Sequence, residues 1–368
     1  MDLNTLGDLA RPADTKVVLL VIDGLGGLPR DPAGETELEA AHTPNLDALE
    51  YRIGRGVLAA AGIDFDLRPG DVACRGNFCT LDDQGRVSDR RAGRIPTATN
   101  QELAARLQQI ELPGVEVFVR TIKEHRVLVV FRGDGLGHDV SDTDPQATGR
   151  EPRAATGGDD PSARTAELAN TFGDRAREVL ADAHPANMVL LRGFASLPDW
   201  PTFPEVYGTT AASVAAYPMY RGLGRLLGMD PLDAAEDPHA KFAAVREHRD
   251  HFDFFFVHVK QADSTGEDGD FDGKVAVIEG VDRALPDLLD TAPDVLVVTG
   301  DHSTPWRLAS HSWHPVPVLL AADHARPDPV TRFGERALLA GGLGPRLPAT
   351  QLMPLAMAHA GRLEKFGA

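Results

Sequence analysis

Cysteine is nearly missing from this chain: Cys74 and Cys79 are the only two in 368 residues. Their spacing is too irregular for a CxxC motif, and buried or half-buried free thiols in a reducing compartment are expected. Basic residues are also scarce, 37 against 55 acidic ones, which leaves a net charge of −18 and a pI near 5.1. Phosphate backbones require a positive field, so nucleic acid is not expected as a partner. Small phosphorylated molecules stay open, because local arginines or metal ions can override the global field. No apolar run approaches the length of a membrane span, so no membrane partner is expected either. The start, MDLNTLGDLARPADTK, lacks a basic stretch followed by an apolar one, and a cytoplasmic protein is expected. What is present is ordinary: 42% hydrophobic and 25% charged residues, in a chain long enough for two domains or one core with a large insertion.

Lys16–Ile22 reads KVVLLVI, a continuous β-branched apolar run that suits a strand buried on both faces. Thr43-Pro44 then open a predicted helix over Asn45–Tyr51, with threonine as N-cap and proline at the first helical position. The middle of the chain has another texture. Asp71–Thr80 and Val87–Arg91 predict a hairpin around DDQG, and Val115–Ile122 and Arg126–Phe131 two further strands. Gly149–Ala163, rich in Gly, Pro, Asp and Ala, reads as a surface loop or linker. Alternation then returns, with strands over Phe252–Val259, Asp294–Thr299 and Val316–Leu320, and helices over Gly273–Leu289 and Thr350–Leu363. This pattern predicts an α/β fold, a mostly parallel sheet flanked by helices, built from residues 1–68 and 190–368. Residues 69–189 form an inserted α+β domain.

Three acidic or imidazole clusters follow apolar strands. Asp23 ends the first. Asp263 and Glu267 lie in HVKQADSTGEDGDF, past the second. Asp301 and His302 lie in VVTGDHST, with His311 close behind in HSWHPVP. Alone, an aspartate after a strand is more often a helix cap or loop hydrogen-bonder, and a lone histidine is usually a surface or satisfied core residue. Together they sit at the carboxyl ends of strands of one presumed sheet, where open parallel sheets place their crevice. Mixed carboxylate and imidazole ligands suit zinc, manganese or similar ions. A pair of such ions can clamp both oxygens of a phosphoryl transfer.

The stretches KVVLLVIDGLGG, EAAHTPNLDAL, LRPGDVACRGNF, DRRAGR, SDTDPQATG, AAYPMYRGLGRLLGM, TGEDGDF, GDHST and HSWHPVP occur in colinear order over nearly the whole chain. They resemble the archaeal-type branch of 2,3-bisphosphoglycerate-independent phosphoglycerate mutase, within the alkaline-phosphatase-like superfamily. The resemblance implies interconversion of 3-phosphoglycerate and 2-phosphoglycerate in glycolysis and gluconeogenesis. It implies two divalent ions, no 2,3-bisphosphoglycerate, a small phosphorylated three-carbon acid as substrate, and a monomer or homo-oligomer. Asp23, Asp301 and His302 then match ligands of one ion, and Asp263 and His311 ligands of the second. Glu267 stands where many relatives carry a histidine, a harder ligand that favours manganese or magnesium over zinc. The inserted domain resembles the family's substrate cap, with Arg75, Asn77, Arg90, Arg91 and Arg94 toward phosphate and carboxylate and Asp89 toward the hydroxyl proton. His125, Arg126, Asp142 and Asp144 are weaker candidates of the same kind. Arg221 matches a position where relatives often carry lysine. A solvated charged hairpin is the competing reading of DRRAGR, and a solvated acidic loop that of GEDGD.

One part of the pattern is missing. From Pro44 to Cys79 there is no serine or threonine. Members of the family place roughly forty residues between the TPNL helix and the GRG stretch, and among them the serine that takes the phosphoryl group covalently. Here Asn45–Glu50 pass straight into Tyr51–Gly56. Losing that stretch also removes an oxygen between the two ions and a helix and strand of the sheet. Cys74 falls in a strand of the inserted domain and is no substitute; Thr43 is the helix cap. Two other functions therefore stand beside the mutase: a metal-dependent phosphohydrolase with water as acceptor, and a non-catalytic binder of a phosphometabolite.

Overall fold

The computed structural model describes residues 3–31, 33–47, 68, 70–196, 200–344 and 346–364. The Glu50–Tyr51 junction and the end of the predicted helix over Asn45–Tyr51 lie outside these residues. Contacts divide the chain into two units, Met1–Gly62 with Trp200–Ala368, and Ile63–Asp199. The first strand is β1 (Val17–Ile22). Five follow in the middle segment: β2 (Val72–Leu81), β3 (Val87–Asp89), β4 (Glu116–Lys123), β5 (Arg126–Arg132) and β6 (Met188–Ser196). The last five are β7 (Ala211–Ala215), β8 (Asp230–Leu232), β9 (Phe254–Val259), β10 (Val295–Thr299) and β11 (Val318–Ala322).

The first unit is a six-stranded sheet in the order β11-β10-β1-β9-β7-β8. Its neighbours are parallel except β11, which runs antiparallel to β10. Strand β1 is central because its side chains serve both faces. Val18, Leu20 and Ile22 enter one core with Phe255, Val257, Leu296 and Val298, closed by Ile278, Val281 and Leu285 of the Phe271–Leu289 helix. Val17 enters the opposite core with Phe254, Val295 and Val297, closed by Ala356 and Met357 of the Leu352–His359 helix. Successive side chains of a strand point to opposite faces, so an unbroken apolar run is what a two-sided burial demands.

The second unit is antiparallel. Strand β2 pairs with β3, β5 and β6, and β5 with β4. Strand β6 runs across residue 190, where the sequence suggested a boundary, because its pairing with β2 extends over Val72–Cys79. The loop expected over Gly149–Ala163 is shorter than read: a helix begins at Asp160 and runs to Val179. Composition hid the start signal, Asp159 accepting from Ser162 N at 2.8 Å with proline in the first turn. The C-terminal helix stops at His359, short of the expected Leu363. Thr43 donates its hydroxyl to Asp47 Oδ1 at 3.2 Å, and its carbonyl accepts from Asp47 N at 2.8 Å. Among the described residues no helix is long and apolar enough to cross a membrane.

Candidate metal centre and arginine cluster

Strands β10, β1 and β9 are adjacent and parallel, so the residues following them emerge at one rim. Asp23 follows β1 directly, Asp301 and His302 follow β10, and Asp263 lies in the short Gln261–Glu267 helix after β9. Gly24, at φ +72°, lets the loop after β1 approach the helix after β9 closely, for a Cβ there would fall 2.7 Å from Asp263 Cα. Its N–H lies 3.3 Å from Asp301 Oδ1 as a donor.

Two sets of three potential ligands result among the described residues, Asp23 with Asp301 and His302, and Asp263 with His302 and His311. Within each set the ligand atoms lie within 4.8 Å of one another. His302 Nε2 is 3.2 Å from Asp23 Oδ1 and 3.5 Å from Asp301 Oδ2. His311 Nε2 is 3.4 Å from Asp263 Oδ1, and the two imidazoles stack at 3.7 Å. Glu267 is outside both sets, with Oε1 4.0 Å from His311 Nε2. The loops thus bring together Asp23, Asp263, Asp301, His302 and His311, with Glu267 at the edge.

Four side chains that sequence reading passed over complete this rim. Lys260 Nζ sits 3.0 Å from Asp23 Oδ2 and bridges to Asp263 Oδ2. His258 Nε2 lies 3.2 Å from Asp23 Oδ2, and Tyr220 stacks on its ring at 3.5 Å while donating to Asp301 Oδ2 at 2.6 Å. Thr304 Oγ1 joins Asp263 Oδ1 to His302 Nδ1. His258 and Lys260 were detectable as an imidazole and an ammonium interrupting and ending an apolar strand that leads to Asp263. Nothing in the sequence marked Tyr220.

The electrostatics are unbalanced. Asp23 is fully buried, and apart from the Lys260 ammonium 3.0 Å from Oδ2 its oxygens have no hydrogen-bond partner among the described residues. Burial raises its pKa above the ordinary value, with Lys260 opposing and Asp263 adding. Asp301 is pushed up to about 6 by burial and by Asp23. Burial also works against Asp263, but His311, Lys260 and Thr304 hold it below the usual carboxylate range. Burial holds His258 neutral, its pKa down to about 3. Burial disfavours the Lys260 charge as well, yet Asp23 and Asp263 outweigh it and raise the pKa. Three carboxylates therefore face one ammonium in a desolvated corner, an arrangement that suits added cations. An N/O donor set of carboxylates and imidazoles fits zinc, manganese or a similar divalent ion.

The second unit gathers arginines. His125 is buried, and its pKa falls to about 3 through burial first and then Arg126, Arg91, Arg75 and Arg94. All four guanidinium groups are near enough to act electrostatically on that one imidazole. Asn77 pairs with Arg126 across β2 and β5, and Asn77 Oδ1 and His125 Nδ1 are buried without hydrogen-bond partners. Other expected residues are engaged within the fold. Arg90 lays Nε and Nη2 on Asp144 Oδ1 and Oδ2 at 3.1 and 2.7 Å. Asp89 accepts from Arg91 N and Gly93 N at 2.8 and 2.6 Å, and Asp142 accepts from Gly193 N at 2.8 Å. In the first unit, Arg221 pairs with Asp233 at 2.8 Å. Both cysteines are buried. Burial raises the Cys74 thiol above its usual range and pushes Cys79 up to about 12, so neither supplies a thiolate.

Residues 46–187 match the family model described as 2,3-bisphosphoglycerate-independent phosphoglycerate mutase. A protein of Thermus thermophilus named "Probable 2,3-bisphosphoglycerate-independent phosphoglycerate mutase" is 47% identical over 407 positions, covering 100% of both chains. A Deinococcus radiodurans protein of the same name is 46% identical, covering 100% of this chain and 99% of its own. The solved cofactor-independent phosphoglycerate mutase of Thermoplasma acidophilum superposes with a TM-score of 0.64 at 29% identity, over 94% of this chain and 100% of that one. The Thermus match needs 407 positions where this chain has 368 residues, so at least 39 positions of it face no residue here.

Proposed function

This chain belongs to the 2,3-bisphosphoglycerate-independent phosphoglycerate mutase family, and on that premise we propose that it acts on 3-phosphoglycerate and 2-phosphoglycerate at a centre of two divalent ions. The observation that carries this reading is Asp23, a fully buried carboxylate that shares the Lys260 ammonium with Asp263, at the meeting point of Asp301 and His302. Asp23, Asp301 and His302 would hold one ion. Asp263 and His311 would hold the other, with Glu267 near enough to His311 to join them. The hard carboxylate at Glu267 favours manganese or magnesium, with zinc also possible. When bound, such ions withdraw charge from a transferring phosphoryl group.

The remaining roles belong to this chain's own side chains. Lys260 places an ammonium beside Asp23 and Asp263, where it could pair with a phosphoryl oxygen. Arg75, Arg91, Arg94 and Arg126, each within electrostatic reach of His125, would supply planar forks for the phosphate and carboxylate of the acid. Asp89 accepts one N–H on each oxygen and keeps a lone pair free on each, so it can still hold the hydroxyl proton of the acid. Arg90 serves chiefly to neutralise Asp144, and Arg221 is the weaker phosphate contact because Asp233 already pairs with it.

A second reading rests on the absence of any serine or threonine from Pro44 to Cys79. Without a hydroxyl to carry the phosphoryl group, water becomes the acceptor: the ester P–O bond breaks, a P–O bond to water forms, and glycerate and inorganic phosphate leave. An enolase-coupled assay run beside a phosphate-release assay, with Mn²⁺ and then Mg²⁺, separates the two. Isomer formation supports the mutase. Phosphate release without isomer supports the hydrolase. A chain that does neither, and gains neither when the missing stretch of the Thermus relative is inserted, overturns the substrate assignment.

A further inference from the structure

His302 belongs to both ligand sets, with Nε2 directed to Asp23 and Asp301 and Nδ1 on the side of Asp263. The ring carries one proton when neutral, and the surroundings decide where it sits. Thr304 Oγ1 has a single hydrogen. That hydrogen goes to Asp263 Oδ1, whose carboxylate accepts from the Lys260 ammonium on its other oxygen. The contact of 2.9 Å between Thr304 Oγ1 and His302 Nδ1 must then run the other way, with the ring N–H donating and the hydroxyl oxygen accepting. Nε2, on the opposite edge of the ring, then carries the lone pair, 3.2 Å from Asp23 Oδ1 and 3.5 Å from Asp301 Oδ2.

Thr304 is itself fixed from three sides. Its N–H lies 3.3 and 3.2 Å from the carbonyls of Gly24 and Gly26. The fully buried Lys274 donates to its carbonyl at 2.9 Å and to Gly26 O at 3.0 Å. Gly266 leaves no slack, for a Cβ there would fall 2.2 Å from Thr304 O.

We propose that Thr304 is a positioning residue that holds His302 with its proton on Nδ1 and its Nε2 lone pair toward Asp23 and Asp301, and so commits the shared imidazole to the first ion site. The inference rests on the two-ion reading above, but the tautomer it names exists without any ion. Outer hydrogen-bond partners of this kind commonly change metal affinity 10–100-fold.

The test uses the full chain, ¹⁵N-labelled at histidine, as wild type, Thr304→Val and Thr304→Ser. Long-range ¹H–¹⁵N correlation of the metal-free wild type should show His302 protonated at Nδ1; protonation at Nε2 overturns the proposal with no variant needed. Mn²⁺ titration should show Thr304→Val weakened roughly 10–100-fold at one site and little changed at the other, with Thr304→Ser restored. Equal affinities in wild type and Thr304→Val would sink it. A wild-type chain that binds no Mn²⁺ refutes the ion sites, and the tautomer spectrum then decides the role of Thr304 by itself.

Discussion

Asp23 and Asp144 are both completely buried, one in each unit, and their surroundings treat them in opposite ways. Asp144 receives the two-pronged fork of Arg90, the N–H of Gln146 at 2.9 Å and the more distant Arg192. Burial raises its pKa, but these partners outweigh it and the net shift is downward. Asp23 has only the ammonium of Lys260, shared with Asp263, and burial dominates, so its pKa rises. The antiparallel unit neutralises its buried charge from its own chain. The parallel unit leaves charge at the rim of its sheet for something else to neutralise.

The contrast can be broken most forcefully at Asp144. Asp144→Asn strips the acceptor from Arg90 and should destabilise the second unit by about 3–5 kcal/mol. Hydrogen exchange in β2 and β6 would register this, with Mn²⁺ affinity unchanged. Asp23→Asn should do the reverse. Mn²⁺ affinity at one site should fall by at least ~100-fold, while the metal-free chain unfolds no more easily than wild type. Equal destabilisation by the two variants would erase the distinction.

Acid sharpens it further. In the metal-free chain Asp301 has its folded pKa raised to about 6. The folded state then binds a proton that the unfolded state lacks, so this contribution is full below the unfolded value of about 4 and disappears as pH rises through 6. Asp144, shifted downward, contributes above that unfolded value and loses its contribution as pH falls through its folded pKa. Lowering the pH from 7 to 5 should therefore protect the β1 and β10 amides by about 1.3 kcal/mol and leave those of β2 unaffected. The smallest effect expected is at the arginine cluster. Arg91→Ala should weaken phosphoglycerate binding about 10-fold in calorimetry, with an unchanged unfolding midpoint.

How far this could be read from the chain follows from how each feature is encoded. Strands β1, β9 and β10 were legible because burial on both faces requires unbroken apolar runs, and the candidate site residues follow them closely. That is also why Asp23, Asp263, Asp301, His302 and His311 can be grouped from the amino-acid sequence alone. The antiparallel course of β11 and the strand β6 left no such mark, since both depend on partners distant in sequence. The helix start at Asp160 was present as a cap but was masked by Gly- and Pro-rich neighbours. Tyr220 and Thr304 act through one hydroxyl each, and a lone hydroxyl carries no pattern that spacing can reveal. Arg90 looked like a ligand for substrate until Asp144, 54 residues on, proved to occupy it.

Anomalous diffraction from crystals grown with Mn²⁺ bears most directly on the two-ion centre. The account predicts two peaks, one among Asp23, Asp301 and His302 and one beside Asp263 and His311. Manganese found elsewhere on the chain, or no peak at that rim with Lys260 still bridging Asp23 and Asp263, would contradict it.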